Sequence, residues 1–353
     1  MRRGLMAWDP QELPEAALSG RLARLRAVMQ RDRLDAFLIY TNLVRPSAVN
    51  WLTGFTPYWS EGALLVPHEG APIFATALSK RVASWMRTTD PVSEIVNAPR
   101  PGRLLGERLA AGGCRRVGVL ELDELPSGLY DDMVSAAPSV ELTDASAAFA
   151  AIRRVIDDAE WQLLVRADAL AAAALDQAGL ANAHDAGAVA GEVEQHARLA
   201  GVEEAYIAVA PDLAADRRLI RISRPAPLGS RFAVRASIAY KGAWVRRTRT
   251  FARDGAGRYA VERADAWLDE TCRAIDPARP LAGQIATRVD ALPAAALHSW
   301  MAEACIGSYP LQVVAASGPA VQQTPGDGAV LTVSLLIDGG SWLGAGPIVA
   351  RAG

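Results

Sequence analysis

SIAYKGAWVRRTRTF, residues Ser237 to Phe251, outlines a β-hairpin. A β-leaning run, SIAY, meets Lys241-Gly242, and a second run carrying Trp244, Val245 and Thr248 follows. RFAVRA feeds straight into it from upstream. The stretch holds Lys241, Arg246, Arg247 and Arg249 and no acidic residue. Arg235 and Arg246 flank the turn, eleven positions apart. Two arginines aimed at one spot from neighbouring strands require an anion, whether a ligand or a carboxylate of the same chain.

The whole molecule does not share this bias. Its 353 residues carry a net charge of -2, so its overall field points neither to nucleic acid nor to an anionic membrane. The basic residues around 215–253 are therefore local, and suggest a site. The length allows two domains with real cores, and the 51% apolar and 22% charged content is that of a soluble globular protein. Cys114, Cys272 and Cys305 are too few and too scattered for a disulfide framework or a structural zinc site, which fits a reducing compartment. MRRGLMAWDPQELPE has no apolar core of a signal peptide, and no run of about 18 apolar residues is present. The expected location is cytoplasmic.

Outward from the hairpin, the first part of the chain alternates helices and strands. Residues 15–34 repeat apolar residues at helical spacing, and DAFLIYT reads as a buried strand. VNWLTGF reads as a second strand or strand edge ending at a glycine turn, and GALLVPHEGAPIFAT as two strands about a turn. Residues 77–88 look helical, RRVGVLEL is a strand and GLYDDMVSAA a helix. This is an α/β domain over residues 1–146. From Ala148 to about Gly201 two alanine-rich helices follow, then the hairpin, helices at 260–275 and 282–292, and strand-like GAVLTVSLLID and PIVA. Helices with antiparallel strands describe an α+β domain over 147–353.

Three stretches together resemble the creatinase/prolidase/aminopeptidase P family (peptidase M24), which has the pita-bread fold. VNWLTGFTPYWSEGALLVP is similar to the family's N-terminal domain, AAIRRVIDDAEWQLLVRADALAAAAL to the entry into its catalytic domain, and YKGAWVRRTRTF to its TRTF hairpin, through Thr248, Arg249, Thr250 and Phe251. The resemblance implies a pita-bread C-terminal domain, a homodimer, and in the metal-dependent members two divalent cations held by two Asp, a His and two Glu. Here the Asp positions fall on Arg235 and Arg246, and the His position near Cys305 to Ser308, where no His stands. The Glu positions fall on Ser334 and near Gly346. No ligand position keeps a ligand, and arginines would repel a divalent cation in a low-dielectric cleft. The expectation is a divergent member with no metal and no cofactor.

Metal-free creatinase in the same family uses a histidine, but its position falls among Asp216 to Leu219, where there is none. Of the four histidines, His298 is the candidate proton carrier, since a near-neutral imidazole is the usual general base, against a purely structural role. His68, His184 and His196 read as turn, cap and helix residues. Tyr240 at the hairpin tip is the second catalytic candidate, and Tyr309 could also donate a proton or simply pack. Cys305 is a candidate nucleophile or a small hydrophobe, and Glu303 is a comparable weak candidate. Arg235 and Arg246, with Ser334, are the candidate binding groups for an anion. By the resemblance, Tyr58, Trp59 and Glu61 in the loop TPYWSEG would reach over the partner's site and bind substrate, or form an ordinary turn. The combined expectation is a metal-independent enzyme acting on a small carboxylate-bearing substrate by C–N hydrolysis or related acid/base chemistry. The alternative is a non-catalytic member binding a small anion or a protein.

Overall fold

The computed structural model describes residues 8–56, 61–177, 185–222, 225–304, 312–318 and 324–349. They form two compact units that divide between Ala159 and Glu160.

The first unit runs α1 (Glu15–Asp32), β1 (Ala36–Thr41), α2 (Ser47–Thr53), β2 (Gly62–Pro67), β3 (Ile73–Thr76), α3 (Ala83–Arg87), β4 (Glu94–Asn97), α4 (Pro101–Ala111), β5 (Arg116–Leu120), α5 (Ser127–Ala136), β6 (Glu141–Asp144) and α6 (Ser146–Arg153). Its mixed six-stranded sheet has the order β4-β3-β2-β1-β5-β6. Alternation along β1 sends Phe37 and Ile39 into one core, with Trp51, Phe55 and Phe149, and Leu38 into the other, with Leu105 and Met133. On the second side α4 and α5 touch closely: a Cβ on Gly106 would lie 2.5 Å from the Met133 carbonyl oxygen.

VNWLTGF forms a helix, not the expected strand. Gly54 closes α2 in the left-handed region (φ 78°) with its N–H on the Asn50 carbonyl, and the Asn50 amide returns to the Gly54 carbonyl and Thr56 Oγ1. The division between units falls later than the 146/147 boundary expected, because α6 belongs to the first core through Phe149. Beyond α6, Asp157 takes a two-point contact from the buried Arg21 guanidinium at 2.6 and 2.9 Å, and Arg21 also donates to the Trp51 carbonyl.

The second unit holds most of α7 (Asp158–Gln177), then α8 (Ala186–Leu199), β7 (Glu204–Ala210), β8 (Arg231–Tyr240), β9 (Ala243–Ala252), α9 (Gly255–Ala274), α10 (Leu281–Asp290), β10 (Ala295–Ala304), β11 (Gln312–Ala316), β12 (Ala329–Ile337) and β13 (Gly340–Pro347). The hairpin forms as read, turning on Lys241 (φ 47°) and Gly242 (φ 80°). Strands pair antiparallel throughout in the order β11-β10-β12-β13-β9-β8-β7. The last strand is GSWLGAGP, ahead of the expected PIVA.

Strand alternation gives this sheet two unlike faces. One packs on helices. Leu331, Val333, Leu335 and Trp342 join Leu268 of α9 in one core, and Trp342 Nε1 donates to Asp265 at 2.9 Å. On that side Arg247 forks onto Asp168 of α7 at 2.6 and 3.0 Å. The other face carries Arg235, Ser237, Arg246, Thr248, Glu303, Thr332 and Ser334. Among the described residues, no helix is long and apolar enough to cross a membrane.

Candidate functional site

The polar face is assembled by register. Arg235 stands opposite Thr248, and Ser237 opposite Arg246, so the two arginines are diagonal neighbours on one face. Thr248 is paired in turn with Ala345 of β13, and Ala345 with Thr332 of β12. Ser334 lies two residues along the same strand, beside Ser299 of β10. Ala345, not Gly346, is therefore the β13 residue on this face; a Cβ on Gly346 would point at Cys272 Sγ.

Arg246 is fully committed within the chain. Its Nη1 forks onto both carboxylate oxygens of Glu303, and its Nε donates to Ser237 Oγ at 3.2 Å. The two side chains are 8% and 5% exposed. The pair joins β9 to β10 across the two intervening strands, β12 and β13. Burying both ions costs several kcal/mol each, which only close pairing and extra hydrogen bonds offset. The carboxylate that the opening arginines required is thus Glu303, the one acid the sequence placed only among weak candidates.

Beside this closed pair the face is polar and under-satisfied. The hydroxyls of Thr248, Thr332 and Ser334 are buried and have no hydrogen-bond partner among the described residues. A buried polar group left unmade costs about 1–3 kcal/mol. Thr250, on the same face, differs: its hydroxyl bridges to β13, donating to the Leu343 carbonyl and accepting from the Leu343 N–H. Both ends of the face are closed by apolar groups. Leu213 and Leu219 pack with Ala233 and Leu343 at one end, and Tyr206 stacks on Trp244, 5.7 Å between centroids, at the other.

The proton-carrier candidates are not brought into this arrangement. Tyr240, three residues beyond Ser237 on β8, sits on the opposite face, under Lys241 Nζ. His298 is exposed, at a bulge in the β10–β12 pairing, and does not reach Glu303, five residues further on. Ser334 is on the face, as expected. Glu61, in the first unit, accepts a hydrogen bond from the Tyr40 hydroxyl. Tyr58, Trp59, His184, Cys305, Tyr309 and the expected His position at 305–308 lie outside the described residues. His68 is exposed in its turn, and His196 Nδ1 faces the Glu192 carbonyl within α8. Burial pushes the Cys272 thiol up to about 12, so it is inert as a nucleophile.

The groups present do not fit a divalent cation. The Glu303 carboxylate is already occupied by Arg246, Arg235 stands diagonal to that guanidinium, and the other described carboxylate on the face, Glu204, lies at its far edge on β7 opposite Ala239. Among the described residues, no group of three or more His, Cys, Asp or Glu could hold a metal. Thr248 and Thr332 were passed over as site groups in the sequence. Their alternation with Arg246 and Ser334 on two strands is the signal that could have marked them.

Residues 21–155 match the family model of the creatinase/prolidase N-terminal domain. Solved structures extend the likeness across the chain. Xaa-Pro dipeptidase from Bacillus anthracis aligns over 95% of this chain and 98% of its own, with TM-score 0.67 and 17% identity. X-Pro aminopeptidase from Thermotoga maritima aligns over 92% and 97%, with TM-score 0.70 and 14% identity. The N-terminal domain of FACT complex subunit SPT16 from Cicer arietinum aligns over 95% of each chain, with TM-score 0.58 and 16% identity. No curated protein sequence matches. The molecule is thus a two-unit α/β and α+β protein of pita-bread architecture. Its residues 21–155 are similar to the creatinase/prolidase N-terminal domain, and over nearly its whole length it shares the fold of the prolidases and Xaa-Pro peptidases.

Proposed function

We propose that the chain is a metal-independent, non-catalytic member of this fold, whose polar face binds a small anion instead of cleaving a peptide. The observation that carries this reading is the buried Arg246–Glu303 pair, which fills one of the positions assigned to metal ligands with a cation already neutralised inside the protein. Hydrolysis needs a group that moves a proton at the reacting atom. Tyr240 on the far face and His298 in solvent offer none beside the pair. An anion needs hydrogen-bond donors, and the buried hydroxyls of Thr248, Thr332 and Ser334 have no partner among the described residues.

The full chain, stripped of metal and then reloaded with manganese, cobalt or zinc, is assayed on Xaa-Pro dipeptides and on small amidino-carboxylates. No turnover is expected in any condition. Metal-dependent Xaa-Pro cleavage would overturn both parts of the reading. Metal-free C–N cleavage of an amidino-carboxylate would overturn the non-catalytic part and restore an enzyme built on the same face.

A further inference from the structure

We infer that the second unit holds a further ligand site, a pocket between α7 and β9 that takes the isopropyl end of a small uncharged molecule. It lies on the opposite side of the sheet from the polar face, because Val245 and Arg247 alternate with Arg246 along β9. Trp161, Leu164 and Val165 line it at helical spacing from α7, Val245 lines it from β9, and Ile348 and Val349 from just beyond β13. Leu164, Val245 and Ile348 are buried, whereas Val165 and Val349 are 45% and 41% exposed. The pocket therefore runs from the core to the surface, and its occupant has one buried end and one free end. The inference stands apart from the anion-binding reading, since neither Arg246 nor Glu303 borders the pocket.

Size and charge name the class of ligand. The pocket holds about 60 Å³. An apolar cavity of about 150 Å³ stays dry and binds benzene, so in proportion this one accepts about two or three carbons, an isopropyl group and not a ring. Its one charged lining residue, Asp168, is forked by Arg247 at 2.6 and 3.0 Å, and Asp269 lies 3.6 Å from the same guanidinium. Two carboxylates on one guanidinium disfavour an added anion, and the fork already gives Asp168 its cation. The other named lining residues are aliphatic or aromatic, so removal of apolar surface from water drives binding, and an isopropyl group supplies the van der Waals partners that an empty pocket denies its walls. A protein interface buries about 800 Å² on each partner, far more than a rim whose exposed apolar residues are Val165 and Val349, so the occupant is a small molecule.

The test is ligand-observed saturation-transfer NMR on the full chain with isobutyramide, against acetamide, isobutyrate and benzamide, with thermal unfolding alongside. The isobutyramide methyls are expected to take up saturation, and the other three compounds to respond several-fold more weakly. Val165→Phe puts a ring at the exposed rim; it should weaken isobutyramide binding about tenfold and move the melting temperature by less than about 2 °C. Val245→Ile adds one methylene inside the pocket; it should raise the ligand-free melting temperature by about 2 °C and also weaken isobutyramide binding. No saturation transfer to isobutyramide overturns the inference. So does a response to isobutyrate or benzamide that equals or exceeds it, the first on charge and the second on size. Isobutyramide binding unchanged in Val165→Phe would place the ligand elsewhere, and a fall in melting temperature for Val245→Ile would show that there is no space to fill; either result overturns the inference as well.

Discussion

Glu303→Gln tests whether the ion pair is what keeps the polar face closed. The substitution keeps the shape and one acceptor oxygen but removes the charge that neutralises Arg246. The guanidinium then sits 8% exposed with only neutral acceptors beside it, the new amide oxygen and Ser237 Oγ. Removing one member of a buried pair costs about 3–5 kcal/mol, chiefly the desolvation of the ion left behind. In a unit of this size each kcal/mol moves the melting temperature by roughly 2–4 °C, so a fall of about 10 °C is expected. Replacing both partners, Arg246→Met with Glu303→Leu, removes the buried charges together and should recover most or all of that loss. Urea unfolding of wild type, both single variants and the double variant gives the coupling energy directly. Glu303→Gln should also acquire a phosphate-dependent rise in stability that wild type lacks, because the Arg246 guanidinium loses its carboxylate and becomes available to an added anion. A melting temperature within about 2 °C of wild type, with no new phosphate response, would refute the idea that Glu303 neutralises Arg246.

Other perturbations follow from single groups. Burial raises the Asp90 carboxyl from 3.8 to about 6, against the N–H donors of Val92 and Ser93. A folded-state value above the unfolded one means the group weakens the fold once ionised, and that penalty fades as pH falls through about 6 toward 4. Asp90→Asn should therefore be more stable than wild type at about pH 7, by up to about 3 kcal/mol, and nearly equal at about pH 4; a gap that does not change with pH would contradict this. Gly106→Ala places a Cβ 2.5 Å from the Met133 carbonyl oxygen and 2.8 Å from Ala136 Cβ, so α4 and α5 must part. A loss of about 1–3 kcal/mol in urea unfolding is expected, and an unchanged midpoint would show the contact to be slack. Cys272 should resist iodoacetamide in the native chain and react once denatured, as read by peptide mass spectrometry. Native labelling at Cys272 would mean that its cover opens.

The hairpin was legible because every local cue agreed. Apolar and β-branched residues alternate with polar ones, and Lys241-Gly242 takes the left-handed pair a tight turn requires. From that register alone, Arg235 and Arg246 had to share a face. VNWLTGF was misread because a short apolar run suits strand and helix alike; the outcome turned on Asn50 and Gly54 closing a helical turn. GSWLGAGP was missed because glycines argue against a strand. It forms because β12 pairs with it from Val330 to Ile337, and because Gly344 leaves room for the Trp342 ring, which a Cβ would strike. Glu303 could not be read as the partner of Arg246. The two are 57 residues apart, and only the strand order β10-β12-β13-β9 sets them on one face.

That strand order also sets how the sheet is held together at its centre. β9 and β13 share a single paired position, Thr248 with Ala345, so the backbone ladder at this seam is thin. Two side-chain devices bridge it. Thr250 makes two hydrogen bonds to the Leu343 backbone, and the Arg246–Glu303 pair spans from β9 to β10 over both strands between. The seam is thus tied by groups the chain carries itself, with a net charge of zero at the pair. The donors left without partners among the described residues include the hydroxyls around Ala345. Variants at Glu303 and at Thr332 should accordingly differ in the sign of their effect on the ligand-free protein.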